Sequence, residues 1–149
     1  MPTSQQIGKA GELLLQYKLL IHGVESAPMT TDYGIDLVAY SPKRKDAITV
    51  QVKTNLKPKP GGGKGKLALD WWIPEDSTAQ YIALTDVSTE RVWMFTLNEV
   101  KSLAQQHPKG RYHLFMNIDP TLRPNKLGRL IYDYEFEKYR LENRYHEIF

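Results

Sequence analysis

The stretch GIDLVAYSPKRKDAITVQVKT, residues 34–54, decides the fold. Residues 35–40 and 47–54 are rich in Ile, Leu, Val and Thr and alternate in polarity. That period belongs to half-buried β-strands. Between them Ser41, Pro42 and the charged residues 43–46 read as a turn. The two strands are expected to form a hairpin. With Tyr40 opposite Ala47, Asp36 falls opposite Gln51, and Lys53 lies one diagonal step away. Asp36, Gln51 and Lys53 then form a polar group at one end, while Leu37, Val50 and Val52 face a core. A slip of one residue would reverse every side chain and scatter the group.

Upstream, residues 4–22 read as a helix capped by Ser4 and stopped by Gly23. Leu13, Leu14, Leu15, Leu19, Leu20 and Ile21 are expected to bury much of its circumference. Glu12 shares a helical face with Gly8, Leu15 and Leu19. A carboxylate on an inward face is costly unless it is paired or holds a cation. Gly8 and Gly11 would let this helix approach the sheet closely, bringing Glu12 towards Asp36. Residues 24–30 are a weak strand candidate, and Asp32 reads as a turn residue.

Downstream, residues 57–66 (KPKPGGGKGK) have no apolar side chain except prolines and are expected to be a mobile loop. Residues 67–73 read as a strand with Trp71 and Trp72 adjacent, and residues 79–86 and 91–96 as a second hairpin. Thr96 and Glu99 have capping-box spacing and start a helix to about residue 107. A strand at 112–118, a loop at 119–128 and a tail helix with Tyr134, Leu141, Tyr145 and Ile148 on one face complete the order. This predicts a mixed α/β (α+β) domain spanning 1–149, with a core at 1–118 and a C-terminal loop and helix at 119–149.

Composition narrows the classes. A chain of 149 residues can bury one sizeable core. With 0 Cys it has no disulfide framework, cysteine-based zinc site or cysteine nucleophile. That suits a reducing compartment, and a cytoplasmic location is expected. No apolar run approaches the roughly 20 residues of a membrane span, and the first ten residues lack a secretory pattern. The net charge is only +3. Between Lys43 and Lys66, however, eight basic residues stand against one acid, Asp46, a local +7 that leaves −4 for the rest. A basic patch on an acidic body points to phosphate attraction, with solvated lysine-rich turns as the alternative.

Glu12, Asp36, Gln51 and Lys53 carry the candidate chemistry. Two carboxylates, an amide oxygen and an ammonium suit Mg²⁺, which prefers hard oxygen donors. Asp36, Gln51, Glu12 and the Val52 backbone carbonyl are the expected ligands. Lys53 could activate water or stabilise developing phosphorane charge.

Gly11–Glu12, GIDLVAY at 34–40 and ITVQVKT at 48–54 resemble the PD-(D/E)XK nuclease superfamily in a Gln-x-Lys variant. The resemblance implies a restriction endonuclease-like αβββαβ core. It also implies a DNA endonuclease dependent on Mg²⁺ (Mn²⁺ can substitute), with catalytic roles at Glu12, Asp36, Gln51 and Lys53. Ile35 stands where the family motif has Pro, and Gln51 where it has an acid, so metal affinity should fall unless Glu12 compensates. Duplex or branched DNA and a homo-oligomer are the implied partners. Lys43, Arg44, Lys45, Lys57, Lys59, Lys64 and Lys66 are expected to hold the DNA backbone. Gln16 is a further candidate for substrate contact, and Trp71 and Trp72 for base stacking. The alternatives are a nuclease-fold protein that binds without cutting, and an oligomeric interaction module built on the tyrosine-rich tail.

Overall fold

The computed structural model describes residues 1–31, 33–118 and 128–149. Asp32 and most of the expected loop at 119–128 lie outside the described residues.

The chain opens with α1 (Ser4–Ile21). Thr3, not Ser4, is the cap: its side chain accepts from the Gln6 amide, and Gln6 closes a capping box. Five strands form a central sheet in the order β1 (Glu25–Pro28), β2 (Leu37–Tyr40), β3 (Ala47–Asn55), β6 (Tyr81–Asp86), β7 (Arg91–Phe95). Only β3 and β6 run parallel. The hairpin register is the expected one, with Tyr40 opposite Ala47 and Leu37 opposite Val50.

A parallel pair needs a long connection. Here it passes through β4 (Lys59–Pro60) and β5 (Leu67–Pro74), which join β8 (Arg111–Asn117) in a second, antiparallel sheet of order β4-β5-β8. The helix α2 (Leu97–Leu103) follows β7 and does not make this crossover. Residues 57–66 are therefore not a free loop. Lys59 pairs with Ala68 and Pro60 with Leu67. Gly61 to Gly63 form a 3-10 turn in which Gly62 and Gly63 have φ of 60° and 81°, values that favour glycine.

The central sheet is covered differently on its two faces. Leu15 and Leu19 of α1, with Leu141 and Ile148 of α3 (Leu141–Ile148), pack on Leu37, Val50, Ala83 and Met94. On the opposite face Ile82, Leu84, Trp93 and Phe95 meet Leu69, Trp71 and Leu114 of the second sheet. Leu13, Leu20 and Ile21 are exposed, so α1 buries a narrower stripe than its composition suggests. In the tail, a 3-10 segment (Asp133–Tyr139) precedes α3 and the two are separated at Arg140. Tyr134 consequently leaves the face of Leu141 and Ile148 and stacks on Tyr132. Thr96 and Glu99 make the expected capping box, and Arg144 ties Glu99 and the Met94 carbonyl to α3.

Candidate active site

Gly11 sets the approach of α1 to the sheet. A Cβ there would lie 1.9 Å from Thr54 Oγ1 and 2.7 Å from Thr85 Oγ1, far inside contact distance. Gly8, by contrast, faces open space. The next residue after Gly11 is Glu12, so this close packing carries its carboxyl to the start of β2.

Asp36 lies one residue before β2. Gly34, at φ 82°, turns the chain over just upstream. Strand alternation therefore does not extend back through Ile35, which packs towards the second sheet while Leu37 and Ala39 face the helices. The Asp36 N–H donates to the Val50 carbonyl at 2.9 Å, and Asp36 Oδ2 accepts from the Val52 amide at 2.7 Å. The main chain of both hairpin strands thus fixes the carboxylate.

Glu12 and Asp36 line one cleft of about 210 Å³, together with Lys9 and the segment after β1. Lys9 pairs with Glu12 at 3.3 Å. Partial burial pushes the Glu12 carboxyl above its ordinary range, the Lys9 ammonium pulls it down, and the Asp36 carboxylate beside it pushes it up again.

The other expected residues stand in distinct places. Lys53 lines a neighbouring cleft of about 470 Å³ with Gly8, Val52 and Lys57. Gln51 alternates with Val50 and Val52 and so faces the second sheet, where it is buried and its Oε1 accepts from Ser77 Oγ at 2.7 Å. Its Nε2 lies 4.0 Å from the position of a Cβ on Gly34, directly beneath the turn that carries Asp36. Glu12 and Asp36 are thus brought together, while Gln51 lies beneath the Asp36 turn and Lys53 lines a separate cleft. Ser77 has no signal in the sequence, because an isolated Ser in a polar turn carries no spacing pattern.

Of the outlying candidates, Gln16 donates to the Ser26 carbonyl and ties α1 to β1. Trp71 is buried against Trp93 and donates to the Thr85 carbonyl, which removes it as a base-stacking residue. Trp72 lies on the outer face of the second sheet, stacked on His113 with Arg111 over its ring. The basic patch divides between the two ends of β3, about 26 Å apart for a nine-residue strand. Lys43, Arg44 and Lys45 sit at the β2–β3 turn, and Lys57, Lys59, Lys64 and Lys66 on and beside the glycine hairpin. Arg44 donates to the Ile148 carbonyl at 2.6 Å and so anchors the C-terminal helix.

Among the described residues no group of three or more His, Asp or Glu could hold a metal ion. A divalent cation here would rest on two carboxylates and neutral oxygens, a donor set that Mg²⁺ accepts because it keeps several waters. Among those residues, too, no helix is long and apolar enough to cross a membrane.

No protein-family model matches the sequence, and no curated protein matches it. Among solved structures, the bacterial homing endonuclease I-Ssp6803I aligns with a TM-score of 0.63 and 17% identity, over 99% of this chain and 92% of that one. A Holliday junction resolvase, Hjc from Archaeoglobus fulgidus, aligns with a TM-score of 0.49 and 15% identity, over 76% of this chain and 84% of that one. The chain has a nuclease-like fold, of mixed α+β class with a central mixed sheet.

Proposed function

We propose that this chain is an endonuclease that hydrolyses DNA phosphodiester bonds with Mg²⁺, and that Mn²⁺ substitutes. The observation that carries the reading is the Glu12–Asp36 pair. Two carboxyls share one cleft, where burial and the neighbouring Asp36 carboxylate disfavour ionisation of Glu12. A cation between them would relieve that cost, so the donors fit the group. Mg²⁺, when bound, would polarise the scissile phosphate and make a water more acidic.

Asp36, held by the Val52 amide, supplies the fixed carboxylate, and Glu12 the second. The Val52 carbonyl and Gln51 complete the proposed donors. Gln51 can serve because a serine hydroxyl both donates and accepts. With its amide turned over, Nε2 would donate to Ser77 and the oxygen would face the Asp36 turn. Lys53 faces the phosphate from the adjacent cleft and offsets its developing charge. Lys43, Lys45, Lys57, Lys59, Lys64 and Lys66 attract the DNA backbone, with a salt dependence that follows their number. The exposed side chains of Leu13, Tyr17, Leu20 and Ile21 on α1 support a homo-oligomer.

A cleavage panel of duplex, branched and single-stranded DNA and of RNA, in Mg²⁺ and in Mn²⁺, tests the reading. Asp36→Asn is the matched control, because an amide oxygen still accepts from Val52 while the charge is lost. Cleavage of DNA by the parent chain and none by Asp36→Asn is expected. Equal cleavage by both would sink the assignment. The burial of Gln51 on Ser77 favours a second reading, a protein that binds DNA without cutting it. Salt-dependent binding with no cleavage in either metal would select it.

A further inference from the structure

The outer face of the second sheet carries a cleft of about 440 Å³, within the size range of small-ligand sites. Lys59 and Lys66 of the glycine hairpin stand on one side, and Asp70, His113, Phe115 and Asn117 come from β5 and β8. The strands hold this floor rigidly. His113 Nε2 lies 2.9 Å from Asp70 Oδ2, its Nδ1 lies 2.8 Å from Gln106 Oε1, and its ring stacks on Trp72. Asp70 pairs across the ladder with Phe115, and Ala68 with Asn117.

The cleft adjoins the proposed active site. Lys59 and Asp70 also line the cleft that holds Lys53. Asn55 Nδ2 donates to the Asp70 carbonyl at 2.6 Å. Asn55 is two residues beyond Lys53 on β3, roughly 7 Å along the strand.

The chemistry of the lining selects its occupant. Two ammonium groups at the rim attract a phosphate. The Asp70 carboxylate inside would repel a free anion, yet it can accept from the amino group of a base. Phe115 offers a ring for stacking, and Asn117 an amide that both donates and accepts.

We infer that this cleft receives one unstacked nucleotide of the substrate strand, close to the scissile phosphate. Its base lies on Phe115 and meets Asp70 and Asn117, and its phosphate meets Lys59 and Lys66. The inference rests on the nuclease reading above. Because unstacking is least costly for a nucleotide that is already unpaired, it assigns the chain a preference for DNA with a local bulge or branch.

The test is equilibrium binding by the full chain in EDTA, which prevents cleavage. Two duplexes are compared, identical except that one carries a single unpaired deoxycytidine. Tighter binding of the bulged duplex is expected. Phe115→Leu should weaken that complex by roughly 5- to 150-fold, the range of one base–aromatic stack, and leave the paired duplex within about twofold. Phe115→Tyr should restore the preference, which separates loss of stacking from loss of fold. Lys59→Ala should weaken the bulged duplex more than the paired one and lower the salt slope of the bulged complex by about 1. Equal binding of the two duplexes by the parent chain, or an equal effect of Phe115→Leu on both, would overturn the inference and leave the nuclease reading standing. Binding of neither duplex would remove both. Competition by free deoxycytidine monophosphate as effective as by the bulged duplex would overturn it in favour of a small-molecule site.

Discussion

The two layers packed on the central sheet do different work. The core between the helices and the central sheet is largely aliphatic, with Leu15, Leu19, Leu37, Val50 and Leu141. The core between the central sheet and the strand layer is richer in aromatic rings, with Trp71, Trp93, Phe95 and Phe136. Glu12 enters from the helix layer through the contact of Gly11 with Thr54 and Thr85. Gln51 is buried on the strand side and held by Ser77. The proposed site therefore lies along the seam between the layers, with Asp36 on the connection from β1 to β2. Its geometry depends on how closely each layer sits on the sheet, and each layer can be perturbed on its own.

The largest effect should come at the seam. Asp36→Asn and Lys53→Met should each lower cleavage by at least about 100-fold, the scale of losing one charge-stabilising group, with an unchanged far-ultraviolet spectrum. Retained activity in either would place the chemistry elsewhere. The helix layer should respond next. Gly11→Ala places a methyl group inside Thr54, so α1 must lift. A loss of about 1–3 kcal/mol is expected, read by denaturant unfolding, with cleavage falling further than stability alone explains. Gly8→Ala is the internal comparison. It meets open space, and its thermal stability should stay at or above that of the parent, since Ala is the better helix former.

The strand layer should give a smaller change. Ser77→Ala leaves the buried Gln51 oxygen without its donor, at a cost of about 1 kcal/mol. If Gln51 is a ligand, Mg²⁺ affinity measured by calorimetry should also fall in Ser77→Ala. An unchanged affinity would limit Ser77 to a structural role.

The smallest effect concerns Glu12 in the absence of metal. Its pKa in the fold lies above its ordinary value because of burial and the neighbouring Asp36. The stabilising contribution is therefore present below the unfolded-state pKa and is lost as pH rises through the folded value. At neutral pH the ionised carboxyl is a net cost, and Glu12→Gln should raise the metal-free unfolding free energy by less than about 1 kcal/mol. The same variant should weaken Mg²⁺ binding. A fall in metal-free stability would argue that Lys9, which pairs with Glu12, outweighs the other two influences.

Much of the hairpin was legible in advance. Alternating polarity and a proline-containing turn define the register that pairs Tyr40 with Ala47. The capping box at Thr96 and Glu99 and the buried face of Leu15 and Leu19 follow from spacing alone. Other features did not follow. The glycine-rich stretch at 57–66 has nothing to bury, yet it forms a hairpin because its backbone pairs with Leu67 and Ala68. The expectation that Gly8 and Gly11 act together failed because only one points at a strand. Trp71 and Trp72 are identical in type and adjacent, and a strand sends one into the core and the other to the outer face.

What the sequence determined by itself was local. It specified the first helix and most of the strands, which residues could carry acid, amide and ammonium chemistry, and where positive charge concentrates. These follow from periodicity, capping and composition, which act over a few residues. The tertiary structure alone decided what meets what. It sent Gln51 to Ser77 and Arg44 to the C-terminal helix, put Lys53 in a cleft separate from that of Glu12 and Asp36, and moved the lysine-rich hairpin onto the second sheet. Those outcomes depend on the parallel pairing of β3 with β6 and on the strand connection it requires, which joins residues far apart in the chain.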